Sequence, residues 1–142
     1  MIAICSDHGG YELKQAIMKH LDKRGDAYKD FGTYSQEACD YPEFGKKAAK
    51  AVASKECERG IIICGTGIGI SITANKVKGV RAALCTNLFM AEMSRLHNDA
   101  NILALGGRVV EEDLALQIVD KFLDTPFSNE ERHIRRISMI ED

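Results

Sequence analysis

Asp7 and His8 stand side by side in Ser6-Asp7-His8-Gly9-Gly10, a carboxylate and an imidazole ahead of two glycines. The glycines let backbone N–H groups approach a ligand closely, and a helix start just beyond them favours an anion. Asp7 would serve equally as a helix cap, with His8 left on the surface. A second stretch, Cys64-Gly65-Thr66-Gly67-Ile68-Gly69-Ile70-Ser71, alternates glycines at a strand-to-helix turn. Such a turn makes a nest of backbone donors that binds a phosphate or stabilises a developing oxyanion. Cys64 leads it. A thiolate is favoured near a helix N-terminus and can act as nucleophile or general base. The alternative is a buried strand-end cysteine, which describes Cys5 and Cys85, each within or at the end of an apolar run.

Three better-known loops are excluded. A dinucleotide GxGxxG fingerprint needs glycine where Ile70 stands and normally follows the first strand. A Walker A loop needs Gly-Lys-Ser/Thr at its end, and no lysine is there. A phosphate-cleaving Cys-x5-Arg loop needs arginine at position 70.

His97 and Asn98 lie in Ser94-Arg95-Leu96-His97-Asn98-Asp99, at the end of one helix and before a strand. A helix C-terminus favours charged imidazole, and Asn98-Asp99 suits a turn, so a structural role is open beside a catalytic one. The tail carries Arg132, His133, Arg135 and Arg136. Arg132 and Arg136, four apart, share one helix face; paired guanidiniums suit a phosphate, and a solvated basic face is the plainer alternative. Arg108 follows Gly106-Gly107 at a strand end. His8, His20, His97 and His133 show no metal-ligand spacing, so neither a metal nor another cofactor is expected.

These residues need a frame that ends strands in loops. Short β-branched runs alternate with longer amphipathic segments. Strands are expected over 2–5, 27–31, 60–64, 80–85 and 101–105. Helices are expected over 11–23, 45–54, 72–77, 87–96, 112–123 and 129–140. Leu13, Ala16, Ile17 and Leu21 keep helical spacing with lysines between them. Gly60-Ile61-Ile62-Ile63-Cys64 is apolar on both faces, as a central parallel strand reads. Five β-then-α units predict an α/β fold, a three-layer α/β/α sandwich around a five-stranded parallel Rossmann-like sheet, in which ligands bind beyond the carboxyl ends of the strands.

At 142 residues the chain fits one domain, 1–142, the commonest size being about 100–150. Nineteen Lys and Arg against 21 Asp and Glu give a net charge of −2, which argues against a nucleic-acid binder. No apolar run approaches the roughly 18 residues that span a bilayer. MIAICSDHGG has no basic region and too short an apolar run for a signal peptide. Five scattered cysteines without a CxxC pair predict free thiols in a reducing cytoplasm.

Taken in order and spacing, SDHGG at 6–10, DYP at 40–42, CGTGIGISI at 64–72, ANK at 74–76, RLHNDANILALGGR at 95–108 and RHIRR at 132–136 resemble the type B ribose-5-phosphate isomerases. That family also holds the galactose-6-phosphate isomerase subunits. The resemblance covers essentially the whole chain. It implies a five-stranded parallel α/β fold, at least a homodimer (dimer or tetramer), active sites between subunits, and a last helix packed on a partner. It implies interconversion of ribose 5-phosphate and ribulose 5-phosphate, a step of the non-oxidative pentose phosphate pathway, with Cys64 as proton acceptor and His97 as the donor that helps open the sugar ring. Asp7, His8, Gly65, Thr66, Gly67, Ile68, Gly69, Asn98, Arg108, Arg132 and Arg136 are then the substrate contacts. An isomerase of a six-carbon sugar phosphate (allose or galactose 6-phosphate) and a non-catalytic sugar-phosphate binding module are the competing readings. Against the module stand Cys64 and His97, which binding does not require.

Overall fold

The computed structural model describes residues 1–142. Its elements are β1 (Ile2–Ser6), a single 3-10 turn (His8–Gly10), α1 (Tyr11–Arg24), β2 (Tyr28–Asp30), α2 (Tyr41–Ala53) and β3 (Arg59–Cys64). There follow α3 (Ile68–Asn75), β4 (Ala82–Leu84), α4 (Leu88–Leu96), β5 (Ile102–Gly106), α5 (Glu112–Asp124) and α6 (Glu131–Glu141). The five strands are all parallel, in the order β2-β1-β3-β5-β4. The predicted α/β architecture is therefore the observed one.

β3 is the centre of the sheet because it has nothing polar to expose. Ile61, Ile62 and Ile63 are each fully buried. Ile61 and Ile63 point into a cluster with Ile17 and Leu21 of α1 and Ile118 and Phe122 of α5. Ile62 points the other way, among Ala48 and Val52 of α2 and Ile70 and Ala74 of α3. The strand's period of two thus supplies both helical layers, each isoleucine adding about 1.5–3 kcal/mol of burial.

Local chemistry sets the ends. Gly25 closes α1 in the left-handed region (φ 80°). Asn87 caps α4, its side chain accepting from the Met90 N–H at 2.8 Å. α2 begins at Tyr41, with Pro42 inside its first turn where the missing N–H is harmless, earlier than the periodicity from Gly45 predicts. α3 starts at Ile68, straight out of the glycine loop, and ends at Asn75, so the helix expected over 72–77 is displaced toward the site.

One lysine of α1 departs from its pattern. Lys14 is fully buried; its Nζ donates to Asp30 Oδ1 at 2.7 Å and to the Thr33 carbonyl at 2.5 Å. It ties α1 to the edge strand β2. At the opposite edge, Asn75 donates from Nδ2 to the Ala82 carbonyl at 3.0 Å and accepts from the Ala82 N–H at 2.8 Å. No helix is long and apolar enough to cross a membrane.

Candidate active site

β1, β3 and β5 bring one group of the predicted residues to the carboxyl edge of the sheet. Cys64, the last residue of β3, pairs in register with Gly106, the last of β5. Beyond that pair the two chains stay bonded, Gly107 N–H to the Cys64 carbonyl at 2.8 Å and Arg108 N–H to the Gly65 carbonyl at 2.9 Å. A Cβ at Gly65 would meet Arg108 Nη1 at 3.1 Å, and one at Gly9 would meet the Gly65 nitrogen at 3.1 Å and Arg108 Cζ at 3.4 Å. The Asp7-His8-Gly9 turn, the glycine loop and the Arg108 guanidinium are therefore in mutual contact.

Cys64 is buried, and its Sγ accepts from the Gly67 N–H at 3.2 Å. That bond points an N–H at the sulfur just ahead of the start of α3. Gly67 makes it possible. Its φ is +79°, and a Cβ there would strike Leu84 Cδ1 at 2.5 Å and the Leu105 carbonyl carbon at 2.8 Å. The Ile68 N–H is also taken, by Thr66 Oγ1 at 3.2 Å. The cradle is thus narrower than Gly65 to Gly69 taken whole. The amides left without an acceptor in the chain are those of Gly65, Thr66, Gly69 and Ile70.

Cys5 and Cys85 fit the structural reading. Burial pushes the Cys5 thiol far up and the Cys85 thiol to about 11, and it raises Cys57 as well. All five cysteines are free thiols.

Asp7 takes the capping role that the sequence left open beside a ligand-binding one. Its Oδ1 caps the short turn by accepting from the Gly10 N–H at 3.1 Å, while the buried carboxylate stays at the strand end beside Cys64's loop. His8 Nδ1 accepts from the Cys39 N–H at 3.2 Å. A backbone amide can only donate, so neutral His8 carries its proton on Nε2 and presents a donor there. The carboxylate ion pairs take Arg24, Arg81, Arg95 and Arg132, leaving Arg59, Arg108, Arg135 and Arg136 without one.

The second group does not reach the first. His97 ends α4 just before β5, whereas Cys64 lies beside the last residue of β5. The length of that strand, roughly 13 Å at 3.3 Å per residue, separates the two levels of the sheet. His97 and Asn98 instead gather with α6, where the His97 ring stacks on His133 at 4.2 Å between centroids. Arg132 Nε lies 3.4 Å from His133 Nε2, and Arg136 stands one turn on, both arginines exposed. A cavity of about 670 Å³ beside Arg81 and Glu141 shares only Asn98 with the candidate residues and reaches neither Cys64 nor His97. It is not where this chemistry converges.

Two residues near the candidates escape the motif reading as site residues. Tyr41 overhangs the glycine loop: its ring occupies the space a Cβ on Gly69 would enter. Its place in Asp40-Tyr41-Pro42, opening a helix beside the loop, was the available signal. His133 was visible only as one of four tail residues; its stack on a ring 36 positions away has no local signature.

Comparison with known proteins places this arrangement. The family model described as Ribose/Galactose Isomerase matches residues 2–140. Ribose-5-phosphate isomerase B of Escherichia coli (strain K12) is 48% identical over 139 residues, 98% of this chain and 93% of that protein. The solved structure of ribose-5-phosphate isomerase B from Clostridium thermocellum is 61% identical, with a TM-score of 0.97 over 99% of this chain and 94% of that one. That of ribose-5-phosphate isomerase B from Mycoplasma genitalium, with bound ribulose-5-phosphate, is 42% identical, with a TM-score of 0.94 over 99% and 93%. Matched from end to end in sequence and in fold, the chain belongs to the ribose/galactose isomerase family.

Proposed function

We propose that this chain, acting as a single domain, interconverts ribose 5-phosphate and ribulose 5-phosphate through an enediolate, with Cys64 as general base and His97 assisting ring opening. The observation that carries the reading is the Cys64 sulfur, held by the Gly67 amide at the mouth of a loop that keeps four amides unpaired.

The chemistry follows from those groups. His97 donates a proton to the ring oxygen as its bond to C1 breaks, and the C1 hydroxyl gives up its proton to water and becomes the aldehyde. The Cys64 thiolate then removes the proton from C2. The C2–H electron pair forms the C1–C2 double bond, and the C1 carbonyl electrons move onto O1. Unpaired loop amides are suited to the charge that grows on oxygen. The Cys64 thiol returns the proton to C1, and the O2 hydroxyl becomes the ketone as its proton passes to O1. Arg108, Arg132, Arg136 and His8 hold the phosphate, and Asp7 and Asn98 orient the carbon chain.

The separation of His97 from Cys64 within one chain supports a site shared between two copies, with His97, Asn98, Arg132 and Arg136 entering from the neighbour. α6 supports it too: Ile134, Met139 and Ile140 are exposed on a helix that buries only His133. Five free thiols are in keeping with a reducing cytoplasm.

The test is proton NMR of purified protein with ribose 5-phosphate in heavy water containing EDTA, with allose 6-phosphate and galactose 6-phosphate in parallel. Ribulose 5-phosphate with deuterium at the transferred position is the expected product. Faster turnover of either six-carbon sugar moves the assignment to that substrate, and no turnover of any leaves a binding module.

A further inference from the structure

His133 has no role in the reaction as described so far. It is the one buried residue of α6, at 5% exposure, while Arg132, Ile134, Arg135 and Arg136 around it are exposed. Its ring lies nearly flat on that of His97, with the planes 17° apart and the centroids 4.2 Å apart. From the residue before α6, Glu130 brings Oε2 to 3.2 Å from His133 Nε2.

The two rings are held very differently. Helix packing and Glu130 anchor His133, whereas neither nitrogen of His97 bonds to anything in the chain. Stacking on His133 is therefore what sets the plane of His97. A stack covers a face and leaves the edge free, and both ring nitrogens lie on the edge. The charged and titratable groups facing His133 are His97 from α4, Arg132 and Arg136 from α6, and Glu130. Burial, then His97 and the two arginines, hold His133 below the ordinary histidine range against the pull of Glu130. A neutral platform places no like charge against His97 when that ring carries a proton.

We infer that His133 is a positioning residue for the reaction, a buried platform whose face-on stack fixes the ring of His97 so that its nitrogens meet the ring oxygen of the sugar. This rests on the reading of His97 as the ring-opening acid.

The test compares wild type, His133→Ala and His133→Phe with ribose 5-phosphate, inorganic phosphate serving as competing ligand. Alanine should lower kcat by about 10- to 100-fold, a misplaced acid, with KM and phosphate inhibition within about twofold of wild type. Phenylalanine, which keeps a flat face and cannot titrate or donate, should restore kcat to within about threefold. Full kcat in the alanine variant would overturn the inference. So would an equal loss in both variants, or weakened phosphate inhibition, either of which would make His133 a substrate contact. In wild type, the ring protons of His97 and His133 should show a mutual nuclear Overhauser effect, and its absence would also overturn the stack. Wild-type protein that turns over no sugar phosphate would defeat the isomerase reading itself, a result distinct from any of these.

Discussion

Cys64 and His133 show how single side chains take their properties from what touches them. Cys64 and Cys5 stand on adjacent strands in one buried cluster, but the Cys5 sulfur receives no hydrogen bond, whereas the Cys64 sulfur receives an amide. Replacing Cys64 by alanine should lower kcat by about 100- to 10,000-fold, the range for loss of a positioned base, while calorimetric affinity for ribose 5-phosphate changes only a few-fold. Retained turnover would remove Cys64 from the base role. His133 makes a prediction about stability. Its folded pKa lies below its unfolded value near 6.5, so the folded state binds fewer protons than the unfolded one. Stability is therefore lost as pH falls from about 6.5 toward the lower folded value. Melting temperatures of wild type and His133→Phe, measured from about pH 7.5 to about pH 5, should diverge as acid is added, with the variant falling less. The residue types at Asp7, His8, Cys64 and Arg108 were legible because each ends or follows a strand. The stack of His97 on His133 was not, since only the tertiary path of α6 creates it.

Elements carry those side chains, and their attachments are uneven. The alternation of apolar runs with amphipathic segments gave away the strands and helices, because β3's isoleucines and the stripes of α1 and α5 answer to one core. Boundaries near the site were less legible. Pro42 and the glycine loop both start helices earlier than apolar spacing alone implies, since caps and turns, not burial, decide where a helix begins. Strand order was hidden as well: β5 lies between β3 and β4, a pairing made by residues distant in sequence. Lys14 was read as one of the lysines between apolar positions, but its ammonium is the pin between α1, β2 and the Thr33 turn. Removing its partner strands a buried charge, which costs about 3–5 kcal/mol, whereas replacing a buried ion by an apolar side chain of similar length is tolerated better. Urea titration should thus find Asp30→Ala more destabilised than Lys14→Met. The reverse order would mean that the bond to the Thr33 carbonyl outweighs the ion pair.

The whole molecule divides its chemistry between two ends of one sheet. If each site takes Cys64 from one copy and His97 from another, two inactive variants can repair each other. Cys64→Ala and His97→Ala chains, co-expressed in equal amounts, should recover about a quarter of wild-type activity, because half the pairs are mixed and each mixed pair holds one intact site. Activity no greater than that of the separate variants would place both groups in one chain's site. The amide of Asn75 bears on how such copies can meet. By bonding both the N–H and the carbonyl of Ala82, it fills one of the outward ladder positions that β4 offers at the margin of the sheet. A foreign strand arriving there finds those hydrogen bonds already spent, which shortens the edge open to backbone addition. On this three-residue strand the loss of one position leaves little main-chain template for an extended peptide, and favours association through complementary side-chain surfaces, which admit one orientation and stop, over growth into a fibre.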